Sequence, residues 1–127
     1  MKFYRRTAFL EPFVNDVSHM VPLHKLSYIT GFQVPLGKLI QTDGWCRHRG
    51  GGKYSIHLRL WCRNPKRTRH VPHYWADCLL ILAHELAHLT HWDHTPEHWK
   101  LQARLMAAFT ARLNKEGITD LYTRIPL

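Results

Sequence analysis

At 127 residues, 45% of them hydrophobic, the chain has the size of one globular domain, 1–127, with material for a single modest core. A net charge of +9 favours polyanions, acidic proteins or nucleic-acid-rich surroundings as neighbours, and the longest purely apolar run, 78–83, is far too short to span a membrane. Three cysteines (Cys46, Cys62, Cys78) without a CxxC pair argue against a disulfide framework and point to a reducing compartment such as the cytoplasm.

The chain opens with Lys2, Arg5 and Arg6, but "TAFLEPFV" is broken by Glu11 and Pro12, so no cleaved signal is expected. Residues 7–20 read as a short helix opening near Pro12, with Phe13, Val14 and Val17 turned inward. "SYITGFQV" and "GKLIQT" read as short strands split by Pro35 and Gly37. In "GWCRHRGGGKYSIHLRLW", Gly50, Gly51 and Gly52 separate two extended pieces, which predicts a hairpin. After the turn, Tyr54, Ile56, Leu58 and Leu60 alternate with Ser55, His57, Arg59 and Trp61, the pattern of a strand with one buried face.

Basic residues gather at the start, at 47–49 and in the loop 63–70, "RNPKRTRH". No run alternates aromatic and basic residues as a stacking platform would, so charge alone does not predict a specific DNA reader. Pro72 then stands where a first helical turn would start, and residues 73–90 form a helix apolar almost all round, suited to the middle of a core. Thr95 is a good N-cap for a closing helix with Pro96 at its first position. That helix carries Trp99, Met106, Phe109 and Leu113 as a core stripe and ends near Gly117.

Five histidines, His84, His88, His91, His94 and His98, crowd the join between these two helices. Within them lies HExxH: His84, Glu85, His88. Four residues advance a helix by about 400°, so His84 and His88 leave one face a turn apart and can reach one cation, with Glu85 alongside. Neutral imidazoles hold Zn²⁺ without cancelling its charge, which keeps a water there acidic and leaves the nearby carboxylate to take the proton. A third ligand must come from a turn of the chain, because His91 lies about 10 Å along the axis from His84. "WDHTP" supplies that turn, and His94 on it is the preferred ligand, with His98, His91 and Glu97 as alternatives.

"ADCLLILAHELAHLTHWDHTPEHW" resembles the active-site region of YgjP-like and SprT-like zinc metallopeptidases, which carry an HELxH helix followed by a histidine and an aromatic residue. His94 and Trp99 stand in those places, and Trp45 and Cys46 match the family's strand pair upstream. The spacing His84-x3-His88-x5-His94 is also similar to the metzincin pattern, with His91 at its usual glycine. The resemblance covers roughly 44–106. It implies a compact α+β zincin domain, a small and mostly antiparallel sheet with its edge strand over a buried HExxH helix, and one zinc ion.

These readings describe a zinc-dependent endopeptidase, acting on proteins in nucleic-acid-rich surroundings. An extended substrate is expected along an edge strand at 54–60, with Glu85 as general base. Candidate oxyanion stabilisers are His57, Tyr54, Tyr74 and His98, and Asp77 and Asp93 are candidates to orient ligand imidazoles. The basic loop 63–70 is expected to border the cleft and attract nucleic acid or an acidic partner. The competing reading is a non-catalytic, zinc-stabilised module that binds nucleic acid or protein.

Overall fold

The strand alternation read after the glycines builds the middle of a sheet. The computed structural model describes residues 1–37, 42–66 and 68–127. In it β1 (Lys2–Tyr4), β2 (Leu26–Phe32), β3 (Gly44–Gly50) and β4 (Lys53–Arg59) form a four-stranded sheet in the order β1-β2-β4-β3. Ile56 and Leu58 of β4, Ile29 of β2 and Leu60 just past the strand are all buried. The strand expected at "GKLIQT" falls largely on residues 38–41 and so lies outside the described residues.

The predicted hairpin joins β3 to β4, with Gly50 paired to Lys53. Gly51 and Gly52 stand at φ +60° and +72°, and positive φ at both central residues is what a two-residue turn needs to match strand twist.

The α+β class holds, but two expectations about the sheet do not. It is mixed rather than mostly antiparallel: β1–β2 and β2–β4 are parallel, and only the hairpin is antiparallel. Nor is 54–60 an edge, because β4 is hydrogen-bonded to β2 on one side and β3 on the other. Alternation reports which face is buried; it carries neither the direction of a neighbour nor its presence. The edge beside the helices is β3.

Two more strands, β5 (Trp61–Arg63) and β6 (His70–Pro72), pair as an antiparallel ribbon at the base of the basic loop. Asn64 closes the loop, its Oδ1 accepting the N–H groups of Thr68 and Arg69 at 2.8 and 3.2 Å. Pro72 therefore ends a strand, and α2 (Trp75–Ala87) starts three residues later than a Pro72-led helix would.

α2 packs against both the sheet and α3 (Pro96–Lys115). Thr95 caps α3 as expected, accepting the His98 N–H at 3.3 Å. The core stripe of α3 is Leu101, Leu105, Phe109 and Leu113, all buried. Trp99, at 67% exposed, falls outside it, and Met106 is only partly covered. Leu80 on α2 is likewise 46% exposed, so that helix is not enclosed on every side. Among the described residues no helix is long and apolar enough to cross a membrane.

Near the start, a 3-10 turn (Ala8–Leu10) and α1 (Glu11–Asp16) replace the longer helix expected over 7–20. Phe13 meets Trp75 and Phe109 at ring-centroid distances of 5.4 and 6.1 Å, joining the three helices. Asp16 ties α1 to α3 by accepting two hydrogen bonds from Arg112, whose Nε lies 2.6 Å away. That bond holds the Asp16 carboxyl below its ordinary value of 3.8. The contribution is therefore complete above that value and is lost as pH falls through the lower, folded one. Thermal unfolding should show a small loss for Asp16→Asn at neutral pH, vanishing well below about pH 4.

Candidate metal centre and active-site cleft

The two histidines of the HExxH pattern close α2, with His88 as its C-cap. The chain then turns: His91 N–H bonds to the Ala87 carbonyl at 2.9 Å, and the loop leads back to the capped start of α3. This return brings His94 over His84, with the two Nε2 atoms 3.1 Å apart. His88 Nε2 lies 3.2 Å from His84 Nε2. One ring nitrogen from each of His84, His88 and His94 falls within 4.8 Å of the others.

Their outer nitrogens show why a cation fits between them. His88 Nδ1 faces the His91 carbonyl at 3.2 Å, and a carbonyl only accepts. The proton is thus on Nδ1, and Nε2 keeps a lone pair. His84 Nδ1 faces the Gln102 amide oxygen at 2.8 Å, which gives the same tautomer. Two lone pairs 3.2 Å apart repel each other unless a positive ion lies between them. A tetrahedral ion with bonds of about 2.0–2.1 Å to nitrogen would hold its donors about 3.3–3.4 Å apart. The three histidines are positioned to bind such a metal.

Glu85 adjoins this cluster and is only 4% exposed. Its Oε1 lies 3.8 Å from His88 Nε2, and burial pushes its carboxyl up to about 7. A cleft of about 340 Å³ opens over these groups, walled by Gly44, Trp45 and Cys46 of β3 and by Trp92. Gly44 is needed for this approach. A Cβ there would come within 2.7 Å of both the His57 carbonyl oxygen and Ile81 Cγ2, and 3.4 Å from Glu85 Oε2. Burial, with Glu85 nearby, pushes the Cys46 thiol up to about 12, so that wall stays neutral.

The same arrangement of chain is found in solved structures. The crystal structure of Wss1 from Saccharomyces cerevisiae matches at a TM-score of 0.54 and 16% identity, over 92% of each chain. A mutant of that protein matches at 0.53 and 15%, over 93% of this chain and 94% of the other. The chain has the fold of Wss1. At such identity the likeness concerns fold alone; it agrees with the SprT-like side of the resemblance and carries nothing particular to the YgjP-like side. No protein-family model matches the sequence, and neither does any curated protein sequence.

Within this Wss1-like fold the remaining candidates are dispersed. His57 projects from the opposite face of the sheet, stacked on Trp45 at 4.6 Å and 9°. Tyr74 precedes α2, about 15 Å of helix from His84, beneath the Arg124 guanidinium at 4.2 Å. Tyr54 is nearer the cleft, its ring 5.6 Å from that of Trp92. Asp77 is exposed at the start of α2 and faces His73 at 4.0 Å, not a histidine of the cluster. Asp93 is exposed in the returning loop, where its carbonyl accepts the Thr95 N–H.

His98 is wholly buried, its ring centroid 4.7 and 4.3 Å from those of His84 and His88. Its Nε2 donates to the His84 carbonyl at 3.0 Å, and burial pushes it down to about 4. It therefore supports the cluster from below in the neutral form. The basic loop does not border the cleft as expected: none of its described residues lines it, because the β5–β6 ribbon feeds the opposite end of α2.

Strand pairing also assembles what the linear sequence lacks. Tyr4, Tyr28, His57, Trp45 and Phe32 form a continuous row of ring contacts across four strands, and Arg49 lies 5.7 Å over Tyr28. Aromatic and basic residues that never alternate along the chain thus share one sheet face.

Sequence reasoning missed Gln102, which fixes the His84 tautomer. The cue was its place one turn after His98, on the side of α3 that meets α2. Gln102→Leu should weaken metal binding by about 10–100-fold, and Gln102→Glu should retain most of it, in competition with a chromophoric chelator.

Proposed function

We propose that the chain is a zinc-dependent endopeptidase acting on extended or unfolded protein segments. The observation that carries this reading is a buried acid, Glu85, placed against three converging imidazoles on the side that opens to the cleft. A zinc ion held by His84, His88 and His94 would acidify water and polarise a peptide carbonyl. Glu85 takes the proton of the attacking water and delivers it to the departing amine. Burial raises the proton affinity of this carboxyl, which favours its taking a proton. The strand that presents substrate is β3, whose outer backbone groups have no strand partner in the described sheet, and its Gly44 end lies against Glu85.

A non-catalytic zinc module would want a fourth protein ligand. Among the described residues the converging group holds His84, His88 and His94 alone, and His98 turns its Nε2 to the His84 carbonyl.

The charge of +9 and the aromatic–basic sheet face support work on proteins in nucleic-acid-rich surroundings, with the loop 63–70 as a second, separate basic surface. Zinc-reconstituted protein incubated with denatured casein should yield discrete fragments by mass spectrometry, and a chelator should suppress them. Single-stranded DNA present at low salt should accelerate cleavage of a DNA-bound protein, an effect that fades as salt rises. Intact casein with stoichiometric zinc in place would contradict the reading.

A further inference from the structure

Leu80 and Gln102 line two recesses at once. One, of about 360 Å³, also contains Gly44, His84 and Glu85. The other, of about 690 Å³, runs along α3 past Trp99, Ala103, Met106 and Ala107. Together they form one trough that leaves the metal cluster, passes Asp43 and continues along α3 over a stretch without a charged side chain. Its walls are not consumed by the core, since Trp99 is 67% and Leu80 46% exposed. On α3 the trough residues Trp99, Ala103 and Met106 recur at helical spacing, a second apolar stripe beside the buried one that ends at Thr110.

We propose that this trough is the specificity subsite of the peptidase. It takes a large apolar side chain of the substrate, leucine-, methionine- or tryptophan-like, within about four residues of the bond that is cut. The inference rests on the endopeptidase reading and adds to it the chemistry of the substrate. From Gln102 to Thr110 the trough follows α3 for about 12 Å, the length of three to four extended residues. A stable protein partner would need roughly 20–30 residues a side. Seven residues line its arm along α3, which suits a short peptide segment already aligned by β3.

The test reads binding rather than turnover. Short peptides ending in a hydroxamate, with glycine, leucine or tryptophan at successive positions, are titrated against the zinc-loaded protein by calorimetry. A leucine or tryptophan at one position should tighten binding by about tenfold over glycine. The exposed Ala103→Phe and Ala107→Phe substitutions fill the trough; they should abolish that gain while leaving zinc content and acetohydroxamate affinity unchanged. Equal affinity across the series, or a gain that survives both substitutions, would overturn the proposal and leave the metal-centre reading intact. Failure of acetohydroxamate to bind at all would overturn both. Dimers that dissociate in Ala103→Phe would assign the trough to a second copy of the chain and also end the proposal.

Discussion

Glu85→Gln is expected to retain one equivalent of zinc and the wild-type fold, yet to cleave denatured casein about 10²–10⁴-fold more slowly. The amide matches the carboxylate in shape and occupies the same buried position beside His88, so packing against α2 and β3 is preserved. What it cannot do is receive a proton from water and release it to the leaving nitrogen. A peptidase that relied on its metal alone would lose little. Fragment release measured under single-turnover conditions, with zinc content determined in parallel, separates the two; unchanged cleavage would remove Glu85 from the reaction.

The second large effect concerns the choice of third ligand. His94→Ala should lower zinc affinity by more than about a hundredfold, whereas His91→Ala should cost little. The difference follows from what each residue offers. His94 turns its ring nitrogen to within 3.1 Å of His84 Nε2, whereas His91 supplies a main-chain carbonyl that alanine supplies equally well. Zinc retention after dialysis against a graded chelator series measures both. Greater loss in His91→Ala would show that the loop closes differently around the ion.

The part of this molecule legible in the sequence is the part written in local spacing. His84, Glu85 and His88 lie within one turn of helix, and the turn carrying His94 announces itself by the Thr95 cap and Pro96. The hairpin is likewise spelled out by its glycines. What depends on distant pairing was not legible. Tyr54, Ile56, Leu58 and Leu60 identify a strand with a buried face, but β4 has neighbours on both sides, and its partner β2 is contributed from more than twenty residues away. The same limit hid the aromatic face, where Tyr28, His57 and Trp45 belong to three different strands. Gln102 escaped because its role is set by how α3 lies on α2, not by any motif. Trp99 and Met106 joined the core stripe by spacing alone, whereas the packing of α3 turns them to the trough.

X-ray absorption at the zinc edge of the reconstituted protein tests most directly whether Glu85 works beside a cation with one corner left to solvent. Three imidazole nitrogens and one oxygen scatterer, displaced by added hydroxamate, are the expected first coordination sphere. Four nitrogens that ignore hydroxamate would make this a structural ion and contradict hydrolysis.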